Sequence, residues 1–469
     1  METIKMSEIP PLFAQQQETV DFMADHPLVF DMSDPGTGKT RGHLQAFWNR
    51  RILGGGGAIV FAPKSILQPA WGNDIDMFFP GMRYSVAYAT NRLAAFEAMA
   101  DIYITNHDAV KWLMSKKCPL KLAKFLSNID TLIIDESTAY KHHSSQRSKA
   151  IRKLSGLPNF KYIELMTGTP NPNSVTELWH QTYLLDKGER LGKRYWAFRN
   201  SVQEPVQIGP QPQMVKWTDK ANAEDDVFDS LRDITIRHPL TGVPGNHESN
   251  MMIDLPKKLR KAYDDMLAYA MTMTEKGEVL TAVHAASLNT KLLQICAGTV
   301  YDGNKKIVTI DDGRVELIMD LVEAREWPCV IPFLYRHQRI ALMEAASKRG
   351  LEMEFIDGEV TSDAKRLATV EKFQRGELNG VIVHPQSAGH GLTLTKGRST
   401  IFMSPTYNAE HYKQVFHRIV RKGQEFETET INILAKNTLE EVVNDKLGSK
   451  LNSMQLLLEL VQNNKEVTI

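Results

Sequence analysis

The segment Asp34-Pro35-Gly36-Thr37-Gly38-Lys39-Thr40 gathers the residue types that a polyphosphate demands. Gly36 and Gly38 let backbone N–H groups turn inward around phosphate oxygens. The helical pattern immediately downstream, "RGHLQAFWNR", offers the positive end of a helix. Lys39 can reach β- and γ-phosphates, while the Thr40 hydroxyl can ligate Mg²⁺. Asp34, Pro35 and Thr37 complete the loop, and Ser33 replaces the first glycine of the general pattern without removing a chemical group. Further along, "TLIIDEST" closes an apolar run with adjacent carboxylates. Asp135 suits the Mg²⁺ shell, and Glu136 suits activation of water as a general base. Alone, a strand-end Asp-Glu pair reads as a solvated turn or cap; with the loop upstream, it reads as half of a nucleotide site.

A second set lies near the C-terminus, in "QVFHRIVRKGQ", Gln414 to Gln424. Arg418 and Arg421 are three apart, so on a helix they share one face. By itself such a pair reads as a solvated basic face. His142 and His143 stand side by side in a polar loop, which points to solvation rather than to a metal.

Short β-branched runs must position these groups. "PLVFDM", "AIVFAP", "DIYITN", "TLIIDES" and "YIELMTG" read as strands of the first half. "CVIPFLY", "MEFIDG", "GVIVHPQ", "STIFMSP" and "TINILAK" read as strands of the second. Their alternation with helical patterns predicts an α/β protein with parallel sheets covered by helices on both faces. Roughly from Pro172 to Glu326 helical patterns and polar residues prevail, with "QIGPQPQ" and "TGVPGNHES" as irregular breaks. The expected organisation is a lobe over 1–240 carrying the start of an insertion, a helical insertion or linker over 241–310, and a second lobe over 311–469. "GGGG" at Gly54–Gly57 reads as a flexible connection, because no Lys-Ser/Thr comes directly after it.

Composition sets the bounds. A chain of 469 residues exceeds one ordinary core. With 56 basic against 56 acidic residues, no global field attracts a polyanion, so such a site must be a local groove. Cys118, Cys296 and Cys329 are too few and too scattered for a disulfide framework or a zinc site. No signal pattern and no membrane-length apolar run is visible, and an intracellular, cytoplasmic location without membrane partners is expected.

Eight motifs in order resemble those of superfamily 2 helicases, most closely the Swi/Snf-like double-stranded DNA translocases. They are "LFAQQQETVDFM", "FAPKSILQPAW", "DESTAYKH", "LMTGTPNPN", "KLLQICAG", "FIDGEV…KRLATVEKFQRG", "SAGHGLTL" and "QVFHRIVRKGQ". The resemblance spans nearly the whole chain. It implies two RecA-like lobes of the P-loop NTPase type that close on ATP and Mg²⁺, with Gln16 as an adenine-sensing glutamine. Gly391 and Gln414 become further nucleotide contacts, and Arg418 and Arg421 become arginine fingers for nucleotide held by the first lobe. Lys64, Ser65, Thr105, Asn106, Ser387, Gly389 and Thr393 are implied as contacts to nucleic-acid phosphates.

Four positions depart from the family pattern: Ser137 and Thr138 replace alanine and histidine, Thr393 a frequent asparagine, and Tyr407 a frequent tryptophan. "HRIVRKGQ" is also close to the DEAD-box pattern, but "TGTP", Gln424 and the long insertion favour the Swi/Snf-like side. The expected activity is ATP-dependent translocation on double-stranded DNA, independent of base sequence, in replication, recombination or repair. A targeting protein or nuclease is the expected partner. The alternatives are a strand-separating or branch-migrating helicase on DNA or RNA and, from another class, a nucleotide-gated DNA-binding module.

Overall fold

Alternate residues of "AIVFA" belong to different cores, as a pleated strand covered on both faces requires. Ile59 and Phe61 join a cluster with Leu132 and Ile134, whereas Ala58, Val60 and Ala62 join one with Ile133 and with Leu44 and Phe47. In this computed structural model the described residues are 9–171, 174–207, 215–275, 282–301, 307–360, 363–388, 392–406, 408–445 and 447. The chain forms two units, Met1–Thr241 and Gly242–Ile469.

The first unit is built on β1 (Leu28–Asp31), β2 (Gly57–Ala62), β3 (Tyr84–Ala87), β4 (Ile102–Asn106), β5 (Ile129–Asp135) and β6 (Tyr162–Met166). After a hairpin of β7 (Gln203–Gln207) and β8 (Val215–Asp219) comes the two-residue β9 (Thr235–Ile236). The sheet order is β3-β4-β2-β5-β6-β1-β9, with every pairing parallel. Asp31 pairs with Met166 and Met166 with Asp135, so the ends of β1, β6 and β5 are level. The loops leaving these three strands must emerge side by side, at the edge where open α/β sheets hold ligands.

The second unit has β10 (Asn246–Ile253), a small hairpin of β11 (Thr299–Tyr301) and β12 (Ile307–Thr309), then β13 (Cys329–Pro332), β14 (Met353–Ile356), β15 (Gly380–Val383), β16 (Ser399–Phe402) and β17 (Thr428–Ala435). Its sheet, β10-β17-β16-β13-β15-β14, is also wholly parallel. All ten strands expected from the sequence are present, so the chain is α/β with two parallel-sheet lobes.

Residues 241–310 differ from the helical insertion expected there. They do contain the helices Lys257–Glu275 and Ala282–Cys296, but they also supply β10, an edge strand of the second sheet. The apolar pattern hides it, because β10 is fastened by polar cross-strand pairs. Asn432 Nδ2 donates to Glu248 Oε1 at 3.1 Å and to Asn250 Oδ1 at 3.2 Å, and Thr428 Oγ1 donates to Asn246 Oδ1 at 3.0 Å. "GGGG" also differs from a slack connection. A Cβ at Gly55 would lie 2.8 Å from Arg50 O, and one at Gly56 would lie 2.7 Å from Asp130 Cγ, so this is a tightly packed turn.

Candidate active site

The phosphate loop leaves β1 and enters the helix Lys39–Ile52. Gly36 and Gly38 have φ of 86° and 84°, a left-handed backbone that favours glycine and turns N–H groups toward one point. Lys39 Nζ donates to Ser33 O at 2.6 Å and to Asp34 O at 3.1 Å, so its charge is held over the mouth of the loop. Thr37 Oγ1 closes the turn on Asp34 O at 2.9 Å. The serine that replaces the usual first glycine has a local task. Ser33 Oγ accepts from His238 N at 2.9 Å and Asp34 Oδ2 from Leu240 N at 3.0 Å, which fastens the segment after β9 to the loop. Gln16 is buried against the loop, accepting from Phe13 N at 2.9 Å and donating to Gly38 O at 3.0 Å. It is thus a clamp on the loop in its own right.

Asp135 and Glu136 end β5 beside this loop. Glu136 has φ of 53°, a costly conformation for a residue with a side chain, and such strain persists only where surroundings enforce it. Thr167, at the end of β6, donates from Oγ1 to Glu136 Oε2 at 3.4 Å, while its backbone N–H donates to Asp31 O at 3.0 Å. Next to it, a Cβ on Gly168 would meet Pro35 Cδ at 2.6 Å, so the TGTP turn rests directly on the phosphate loop. Asp135 Oδ2 accepts from the indole Nε1 of Trp71 at 2.9 Å. Ser137 Oγ donates to Gln181 Oε1 at 2.6 Å, and Gln181 Nε2 donates to Pro170 O at 2.7 Å, bridging the carboxylate turn to TGTP. Lys141 pairs with Glu177 at 3.1 Å. Thr167, Gln181 and Trp71 were given no role by the sequence. The one signal for Gln181 was its polarity inside the apolar helix Leu178–Asp186.

Beneath the loop lies a buried charge network. His43 is inaccessible to solvent, with Nδ1 2.7 Å from Glu164 Oε2 and Nε2 3.2 Å from Asp31 Oδ2, and Arg50 binds the other oxygen of Glu164. Burial opposes the charge on His43, but its two carboxylate partners outweigh this and push its pKa up to about 9. Burial likewise opposes both carboxylates, yet His43 beside Asp31, and Arg50 with His43 beside Glu164, hold them below their ordinary range. A raised histidine contributes stability in full below its ordinary value of 6.5 and loses it as pH climbs through about 9. Wild type should therefore lose more thermal stability between about pH 6.5 and about pH 9.5 than His43→Gln does, and their melting temperatures should converge. A gap independent of pH would mean that His43 is neutral.

The second-unit arginines do not share a helix face. The helix Ala409–Phe416 ends before them, and Arg418 Nε caps its last turn by donating to Gln414 O at 2.6 Å. They converge nonetheless, since Nη1 of Arg421 and of Arg418 donate to Leu392 O at 3.0 and 3.3 Å. Gln414 Nε2 donates to Glu410 Oε1 at 3.1 Å. Gln424 is buried and donates to Thr395 O at 3.1 Å and Gly397 O at 3.0 Å, fastening the turn.

Of the residues implied as phosphate contacts, Lys64 is exposed, and Ser65, Asn106, Ser387 and Thr393 are partly exposed. Thr105 is wholly buried, and its hydroxyl donates to Ala87 O at 2.8 Å on the neighbouring strand. Gly389, Gly391 and Tyr407 lie outside the described residues. His143 packs on Tyr195 at a tilt of 30°, ring centroids 3.9 Å apart, in an aromatic cluster with Trp179 and Trp196.

Residues 9–297 match the SNF2-related domain, and residues 313–423 match the helicase conserved C-terminal domain. The chain is 27% identical over 463 residues to protein p41 of Acyrthosiphon pisum secondary endosymbiont phage 1, covering 91% of this chain and 93% of p41. It is 24% identical over 413 residues to the Bacillus subtilis protein named ATP-dependent helicase/translocase YwqA, covering 84% and 42% of the two. It is 21% identical over 437 residues to the mouse chromodomain-helicase-DNA-binding protein 1-like, covering 87% and 45%. The chain thus spans nearly all of p41 and less than half of the other two. The Sulfolobus solfataricus SWI2/SNF2 ATPase core in complex with dsDNA aligns with a TM-score of 0.42 at 18% identity, covering 96% of each chain.

Proposed function

The chain belongs to the SNF2-related helicases, ATP-dependent enzymes of the Swi/Snf type, and from that premise we propose that it moves along double-stranded DNA. The observation that carries the catalytic half is the level ending of β1, β6 and β5. It brings Lys39, Thr167 and the Asp135–Glu136 pair to one edge of one sheet.

The donors present fit Mg²⁺. The Thr40 hydroxyl and the Asp135 carboxylate are hard oxygen ligands, and this ion typically takes one or two such groups plus substrate phosphates. Among the described residues no group of three or more His, Cys, Asp or Glu could make a cage without substrate. Bound there, Mg²⁺ would neutralise charge on the phosphates. Lys39 leaves the carbonyls of Ser33 and Asp34 for phosphate oxygens, and Glu136 takes a proton from the attacking water. Arg418 and Arg421 supply positive charge to the transferring phosphoryl group.

Lys64, Ser65, Asn106, Ser387 and Thr393 would grip phosphates, which position a protein without conveying sequence. Such a motor serves replication, recombination or repair inside the cell, with a targeting protein or nuclease to direct it. No helix among the described residues is long and apolar enough to cross a membrane.

The test is a comparison in one buffer. ATP-driven displacement of a third strand from a triplex is expected, with poor separation of a forked duplex and with Lys39→Ala inactive in both. Duplex DNA should stimulate ATPase more than RNA, and binding should weaken steeply with salt. Efficient fork separation without triplex displacement would instead make this a strand-separating helicase.

A further inference from the structure

We infer that Trp71 is a positioning residue for Asp135, and that it ties the metal-binding carboxylate to the loop proposed to grip DNA. The linkage is one short covalent segment. β2 pairs with β5 (Phe61 opposite Ile134), so the chain leaving β2 passes directly beside the end of β5. It first makes a tight turn over Lys64–Ile66, carrying the exposed Lys64 and partly exposed Ser65. It then widens into a single π-helical turn over Leu67–Gly72. Such turns are rare and frequently lie at functional sites.

Trp71 lies in this turn. Its ring is fully buried in the same core cluster as Leu44 and Phe47 of the helix after the phosphate loop, and as Ile66 and Leu67 of its own segment. An indole wedged in this way has one polar atom to satisfy, and Nε1–H is satisfied by Asp135 Oδ2 at 2.9 Å. The bond fixes one oxygen of the carboxylate, and with it the orientation of the whole group. The wide turn is braced from outside. Gln68 Nε2 donates to Tyr84 Oη at 3.1 Å and to Asn73 Oδ1 at 3.3 Å, and a Cβ on Gly72 would meet Gln68 Nε2 at 2.4 Å. A pull on Lys64 or Ser65 therefore reaches the turn that holds the indole, and through it the carboxylate.

The positioning half rests on the Trp71–Asp135 bond and on Asp135 as the proposed Mg²⁺ ligand, and the relay half rests in addition on the DNA reading above. The experiment measures affinity for a fluorescent ATP analogue as Mg²⁺ is varied, with and without a DNA duplex. Trp71→Phe keeps an aromatic ring in the core and removes the donor. Without Mg²⁺ it should bind nucleotide as wild type does. It should need ~10-fold more Mg²⁺ for tight binding, the scale of one hydrogen bond lost to a charged group. Duplex DNA should lower the Mg²⁺ requirement of wild type and leave that of Trp71→Phe unchanged.

A wild-type Mg²⁺ dependence in Trp71→Phe overturns the proposal. A shifted dependence on which DNA still acts fully overturns the relay alone. If DNA has no effect on wild type, the DNA reading fails, and the Mg²⁺ titration still decides the role of Trp71. Should Trp71→Phe melt far below wild type, the indole N–H signals of the seven tryptophans give a second route in the intact protein. The signal identified as Trp71 by its shift in Asp135→Asn should move on addition of Mg²⁺·nucleotide and again on addition of duplex. A signal that stays fixed in both titrations overturns the assignment.

Discussion

Arg421→Ala should lower kcat by ~10³-fold or more while ATP affinity changes little, because a charge used in phosphoryl transfer acts mainly as the transition state forms. The geometry makes this the cleaner of the two arginine tests. Arg421 is partly exposed, and the bond from its Nη1 to Leu392 O is shared with its neighbour. Arg418 is buried and also caps the helix end through Gln414 O, so Arg418→Ala should lose thermal stability as well as rate. If both guanidinium groups act as proposed on one transferring group, the double variant should cost less in kcat than the product of the singles. Loss of ATP affinity with kcat preserved in Arg421→Ala would make it a ground-state ligand instead.

Glu136→Gln is expected to reduce turnover at least ~10²-fold, the lower range for a lost general base, with nucleotide binding and fold preserved. Glutamine has nearly the same shape and can still accept from Thr167 Oγ1, now 3.4 Å from Glu136 Oε2. The Ser137–Gln181–Pro170 bridge that flanks position 136 is untouched by the substitution. Single-turnover hydrolysis measured beside nucleotide binding separates the two effects. Near-normal hydrolysis in the folded variant would move the base to another residue.

Local chemistry made half of this site legible in the sequence. A glycine-rich loop needs left-handed backbone and N–H groups free of side chains, so "DPGTGKT" announces itself without knowledge of its neighbours. A run such as "TLIIDES" announces a strand buried on both faces, with carboxylates where it leaves the sheet. The ten strands expected from such runs form because nothing but a doubly covered parallel sheet buries them.

Tertiary structure decided what depends on which strands become neighbours. β1 and β5 are separated by about a hundred residues of sequence but by one strand in space, and only that order brings the phosphate loop and the Asp135–Glu136 pair to one edge of the sheet. β10 was hidden because its edge position is held by Asn, Thr and Glu pairs rather than by an apolar alternation. A hydroxyl at a strand end can face solvent or a neighbouring carbonyl, and for Thr105 the presence of β3 decides for the carbonyl of Ala87. The helix expected through Arg421 stops at Phe416, where the Arg418 guanidinium bonds the last turn and Ile419 turns into the core. Trp71 belonged to a recognised motif, yet nothing in one dimension says that an indole N–H will meet Asp135. That contact exists because β2 and β5 are adjacent and a buried donor must find an acceptor.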